Sequence, residues 1–100
     1  MSTQAPSVCT AQAAIGHLVV LIAALPAHGH VVLHLRDGST LAGVVRVRAS
    51  MQVFRDPRGL EGMNARVVLE RPPEAGGITH VWLDQVERVQ HLDSALASEN

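Results

Sequence analysis

Arginine carries all of the fixed positive charge in this sequence; lysine is absent. Six arginines crowd one stretch: Arg46, Arg48, Arg55, Arg58, Arg66 and Arg71. Only Asp56, Glu61 and Glu70 lie among them, so the stretch is net +3. A guanidinium fork suits phosphate oxygens, and Arg46 and Arg48, two apart, share one face of a strand. One reading is a phosphate-contacting face made by Arg46, Arg48, Arg55, Arg58 and Arg66. The other is a solvated strand face in a chain that uses arginine wherever others use lysine. The formal net charge of −1 favours the second, because a dedicated nucleic-acid binder carries a clear basic excess. Single-strand binders also use aromatic stacking platforms, and the chain offers only Phe54 and Trp82. Trp82 alternates with Val81 and Leu83 and faces opposite to them; a core or interface position suits it better than a platform, and Phe54 is a second interface candidate.

Other chemistry finds little support. His30 and His34 share a strand face but would stand about 13 Å apart. His28 with His30 makes two ligands, too few for a structural zinc site, so neither metal nor cofactor is expected. Cys9 is the only cysteine; it cannot form an intramolecular disulfide, which fits a reducing compartment. His17 lies about two helical turns from Cys9, too far for a nucleophile–base pair within one helix. Asp84 and His80 share a strand face with no serine or cysteine nucleophile tied to them. No glycine-rich phosphate loop is present. The chain is expected to be non-enzymatic, with no small-molecule substrate evident.

The elements that position these residues are a single helix and a set of strands. Thr10 is placed to cap a helix that Pro26 ends. Ala11, Ala14, Ile15, Leu18, Ile22 and Leu25 share one face of it. The opposite face holds Ala13, Gly16, Val20, Ala23 and Ala24, without a charge. Such a helix is usually covered on more than one side, so Val20 marks a second contact surface. The apolar run is too short to span a membrane. No lysine or arginine precedes Arg36, so a secretory signal's charged region is missing, and a soluble cytoplasmic protein is expected.

Val31, Leu33 and Leu35 alternate with Val32, His34 and Arg36 in a first strand. Asp37-Gly38 is a hairpin turn. Leu41, Val45 and Val47 then face one way with Gly43 among them, and glycine inside a strand marks a bend or a close backbone approach. This strand runs on, bent, toward Phe54. A turn at Asp56-Pro57-Arg58-Gly59 leads to a strand from Asn64 to Glu70. Another follows from Ile78 to Leu83, then a short turn with Asp84 placed to cap it, then a closing strand from Glu87 to Leu92. The 100 residues make one domain, with 1–9 and 94–100 as flexible tails.

One helix, five strands and a glycine-bent second strand after an Asp-Gly turn resemble the Sm and LSm family, as a divergent bacterial-type member. The residues that carry the resemblance are Val31, Leu33, Leu35, Asp37, Gly38, Leu41, Gly43, Val45 and Val47, together with the ending "VWLDQVERV". It spans about Ala11 to Leu92. The fold it implies is mainly β: an N-terminal helix followed by a five-stranded, strongly bent antiparallel sheet, an Sm-like or SH3-like open barrel. It also implies RNA binding and assembly into homo-oligomers. The sequence departs where the family places its nucleotide pocket. Ala49 and Ser50 stand near the usual aspartate, Met51, Gln52 and Val53 near the usual asparagine, and Trp82-Leu83 near the usual Arg-Gly. The expectation is a binding or assembly module that self-associates, as a dimer rather than a ring. Any RNA contact would be to phosphates, through the arginine face.

Overall fold

The computed structural model describes residues 3–92; the expected tail at 94–100 lies outside them. Its elements in chain order are β1 (Thr3–Gln4), α1 (Gln12–Ala24), β2 (His30–Leu35), β3 (Thr40–Val47), β4 (Gln52–Arg55), β5 (Glu61–Asn64), β6 (Arg66–Glu70), β7 (Ile78–Trp82) and β8 (Val86–His91). A five-stranded antiparallel sheet runs in the order β7-β6-β3-β2-β8 and is open, with β7 and β8 at its edges. A second sheet of three strands runs β1-β4-β5.

The hairpin between β2 and β3 turns at Asp37-Gly38 as expected. The Gly38 amide donates to the Leu35 carbonyl at 3.0 Å, and Leu35 in turn donates to the Ser39 carbonyl at 2.9 Å. Gly38 has φ +91°, the left-handed residue that closes a three-residue hairpin. Asp37 Oδ1 accepts the Ser39 amide at 2.9 Å and its hydroxyl at 2.6 Å. These bonds, the hydroxyl's first, hold the Asp37 carboxyl below its ordinary value.

β3 is the strand that shapes the molecule. Its first part pairs with β2, with Gly43 opposite Val31, and its second part pairs with β6 from Val44 onward. Gly43 sits at the handover. A Cβ there would lie 3.0 Å from the Glu70 carbonyl oxygen and 3.3 Å from Leu69 Cβ, so glycine lets β6 come in close. Further on, the register shifts between Val45 and Val47, a bulge that turns the strand. Val47, expected beside Val45 on the core face, is 56% exposed as a result. The strand does not run unbroken to Phe54. It breaks over 48–51 and resumes as β4, which pairs with β5.

Residues 3–9, expected to fray, are docked on that second hairpin. β1 runs parallel to β4, Ala5 is buried, and Ala5 N–H donates to the Arg55 carbonyl at 3.0 Å. Cys9 and Met63 exchange both backbone bonds at 2.8 Å. Gly62 permits this approach, since a Cβ there would meet the Cys9 carbonyl oxygen at 2.8 Å.

α1 begins one residue later than Thr10 would set it. Ala11 is its N-cap and no side chain caps it. Leu18 and Leu21 are its buried residues, packed with Leu25 at its C-cap in one core with Val31, Leu33, Val45, Val67, Leu69, Leu83 and Val86. Ala11 of the expected apolar face is exposed, and Leu21, outside that face, is buried. No helix among the described residues is long and apolar enough to cross a membrane.

Candidate functional site

The bulge in β3 separates the two arginines that should have stood side by side. Arg46 turns to Glu70 on β6, Nη1 to Oε1 at 3.0 Å. Arg48 reaches the carboxyl end of α1, donating from Nη2 to the Ile22 carbonyl at 3.3 Å, where the helix dipole favours a cation. Arg55 pairs with Glu61 across the β4–β5 hairpin at 2.9 Å. Such half-exposed pairs contribute little stability, but each cancels a charge that a phosphate would need. Arg36 and Arg71 donate to the backbone carbonyls of Asp84 and Ala42, at 2.9 and 3.1 Å. Arg66 lies over the Trp82 ring, 5.6 Å from its centroid, a cation–π contact. Arg58 projects from the exposed turn between β4 and β5. Among the described residues, only Arg46 and Arg55 therefore have a carboxylate partner; of the five arginines expected to form a phosphate face, Arg48, Arg58 and Arg66 do not.

The two aromatic rings meet each other. Phe54 and Trp82 pack edge to face, 5.0 Å between centroids at 88°. Phe54, an interface candidate by sequence, is only 4% exposed and is covered within its own chain. Trp82 is half-buried, with Phe54 on one side and Arg66 on the other.

Two depressions flank Arg48. One, of about 220 Å³, is lined by Val47, Arg48, Ser50, Gln52, Phe54, Arg66 and Val68. The other, of about 550 Å³, lies between α1 and the chain at 48–51 and is lined by Val19, Ile22, Arg48, Ala49, Ser50 and Met51. Beside it runs the outer face of α1, where Ala13, Gly16, Val19, Val20 and Ala23 are all exposed. Val20 is 63% exposed and Val19 54%.

Asp84 does not cap its turn as expected; the 3-10 turn Leu83–Gln85 has no side-chain cap. Its carboxylate belongs to a polar knot that sequence reasoning missed. Oδ2 accepts a hydrogen bond from the Ser7 hydroxyl, while Oδ1 is buried without a protein partner. Asn64, fully buried, donates to the Ser7 carbonyl at 3.0 Å and accepts the amides of Ala65 at 2.8 Å and Asp84 at 3.3 Å. A polar residue between Met63 and Ala65 was the available signal. The Cys9 thiol beside this knot is pushed up in pKa, by burial first and then by Asp84, with Arg36 opposing. Raised thiols are poor nucleophiles at neutral pH. His80 is exposed, and His34 Nε2 meets Gln90 Oε1 at 2.9 Å. Among the described residues no three His, Cys, Asp or Glu side chains are placed to hold one metal ion.

A helix followed by an open five-stranded sheet, whose strand β3 is turned by a bulge beyond Gly43 and shared between two neighbours, is the Sm-like architecture in variant form. The chain belongs to the family described as Domain of unknown function (DUF3247), which matches residues 2–92. It is similar to the crystal structure of XC5848 from Xanthomonas campestris, described as adopting a novel variant of the Sm-like motif. The two agree with a TM-score of 0.83 and 32% sequence identity, over 92% of this chain and 99% of that one. No curated protein matches. At the positions where the sequence departs from the Sm pattern, Ala49 is buried in the core at 6% exposure and Val53 presents an exposed apolar side chain beside the exposed Gln52.

Proposed function

We propose that this chain is a non-catalytic binding and assembly module that pairs with a second copy through the outer face of α1. The observation that carries this reading is that face itself. Thirteen helical residues include no charge, and two adjacent valines stand more than half exposed. Ala13, Gly16, Val20 and Ala23 recur at spacings of three, four and three, the seam along which a second helix can approach closely. A two-fold axis would place the same face on both copies.

Fully burying a valine contributes about 1.5–3 kcal/mol. Val19 and Val20 have roughly half of that left to gain, so four valines in a dimer supply about 3–6 kcal/mol. Dissociation constants of about 1 mM and 1 µM correspond to about 4 and 8 kcal/mol. Lost translational and rotational freedom costs about 4–15 kcal/mol, so the valines alone do not hold the pair; covering Ile22 and Met51 in the neighbouring cleft must add to them, and the dimer is a weak one. Sedimentation velocity from about 1 µM to about 1 mM should show reversible dimerisation. Val20→Glu should abolish it while leaving the melting temperature within a few degrees, since Val20 makes little contact within the chain. A wild-type monomer throughout that range refutes the reading. The single, raised thiol of Cys9 suits a reducing compartment such as the cytoplasm.

A second reading, contact with RNA phosphates, is favoured by the three arginines of the expected phosphate face that have no carboxylate partner, Arg48, Arg58 and Arg66. Arg46 and Arg55, ion-paired, would contribute less. Such binding should be sequence-indifferent and fall steeply with salt. Fluorescence titration of several short RNAs at two salt concentrations tests it; a salt-resistant preference for one sequence counts against it.

A further inference from the structure

The geometry points to a small oxyanion site, of the phosphoryl class, in the cavity between Arg48 and Arg66. That cavity, about 220 Å³, is smaller than the roughly 300–1,000 Å³ of pockets that take drug-sized molecules. It suits an ion or one phosphoryl group. Two arginines line it and no Asp or Glu does, so its field selects anions.

Both arginines are held without being neutralised. Arg48 is tethered to the Ile22 carbonyl and Arg66 rests on the Trp82 ring. Neither support removes the charge, and each limits the freedom the side chain would lose on binding. Arg46 and Arg55, by contrast, face Glu70 and Glu61 and stand outside the cavity. Ser50 and Gln52 complete the donors. At present Gln52 Nε2 donates to Ser50 Oγ over a long 3.3 Å, a weak bond that an oxyanion can replace. Phe54 gives the wall an apolar, buried ring, and the lower local dielectric strengthens every charge-assisted bond.

A phosphoryl group presents several oxygens, enough for two arginine forks and two neutral donors at once. The site recognises that group, not a base: Ala49, at the position where the Sm family begins its nucleotide pocket, points into the core. Pairing through Val20 is not required for it.

Trp82 is the sole tryptophan and touches Arg66, so its fluorescence reports the site. Wild-type protein is titrated with inorganic phosphate, adenosine monophosphate and a short single-stranded RNA, each against sodium chloride at matched ionic strength. The expected result is a saturable change with phosphate and with the nucleotide, and none with chloride. By calorimetry, Arg48→Ala and Arg66→Ala should each weaken phosphate binding about tenfold, the loss of one charge-assisted contact. Arg66→Lys should fall between, and Arg55→Ala should bind as wild type. Both target side chains are exposed, so circular dichroism should show the variants folded; should Arg66→Ala not fold, Arg48→Ala and Arg66→Lys decide.

Equal affinity for phosphate and RNA identifies a free phosphoryl ion as sufficient. RNA binding far tighter than phosphate, and lost in Arg48→Ala/Arg66→Ala, identifies a nucleic-acid backbone as the source, and the site stands in both cases. A phosphate response no larger than that of chloride overturns the site, as does phosphate binding undiminished in the double variant. RNA binding that persists in the double variant while the wild type shows no phosphate response would overturn the site and leave the RNA reading to arginines outside the cavity.

Discussion

Substituting Gly43 by alanine tests whether close approach at the β3 handover holds the fold. The backbone is not the obstacle, because Gly43 is not in the left-handed region. The obstacle is the new methyl group, 3.0 Å from the Glu70 carbonyl oxygen and 3.3 Å from Leu69 Cβ. Arg71 Cγ, also at 3.0 Å, belongs to a flexible side chain and can move aside. The carbonyl belongs to β6 and is paired through Val44↔Glu70, so β6 must shift by a few tenths of an ångström. Overpacking of this kind costs about 1–3 kcal/mol. Alanine recovers about 0.4–1 kcal/mol by restricting the unfolded chain. The net loss lies between about 0 and 2.6 kcal/mol, centred on about 1.3 kcal/mol, and at about 4–8 °C per kcal/mol for a domain of this size the melting temperature should fall by about 5–10 °C. Gly43→Val adds two more carbons in the same place and should cost more. Differential scanning calorimetry reads both. The control is Gly16→Ala, where a Cβ meets nothing within 4 Å; in a helix it should stabilise by up to about 1 kcal/mol. An unchanged or raised melting temperature for Gly43→Ala would show that β6 does not depend on the missing side chain.

Two further outcomes follow from the polar knot. Asn64→Ala strips partners from the buried amides of Ala65 and Asp84 and from the Ser7 carbonyl, and should destabilise by about 2–4 kcal/mol in urea unfolding; a loss under about 0.5 kcal/mol would mean the knot holds nothing. The Cys9 thiol ionises above its ordinary value of 9.0 in the folded chain. Its stabilising contribution is thus complete below pH 9 and is lost as pH rises through the higher folded value, so wild type should lose stability above pH 9 more than Cys9→Ser does, a difference that urea titrations at pH 8 and pH 10 would read.

Much of the fold could be read from local pattern. Period-two alternation from Val31 to Leu35, the Asp37-Gly38 turn and the isolated Gly43 are short-range signals, and each has a short-range physical cause. The docking of residues 3–9 had no such signal. It depends on Gly62, more than fifty residues away, leaving room for the Cys9 carbonyl, and on an extended segment pairing in parallel with β4. Neither requirement leaves a periodic trace in the segment itself. Asn64 was visible as a polar residue in an apolar run, but only the folded chain shows that it serves three backbone partners.

The arginine-rich stretch was legible as charge and not as geometry, and the single inserted residue in β3 explains the difference. Strict alternation would put Arg46 and Arg48 on one face and Val47 in the core. The shift between Val45 and Val47 brings Val47 to the surface, leaves Arg46 to Glu70, and sends Arg48 back toward α1. A stretch that is net +3 by composition thus divides into neutralised pairs at Arg46 and Arg55 and uncompensated charges at Arg48, Arg58, Arg66 and Arg71. Two of these line one cavity. What the chain can bind is decided by which arginines lack an acid, and that is a property of strand register, since one residue more or less in β3 would move each arginine to a different neighbour.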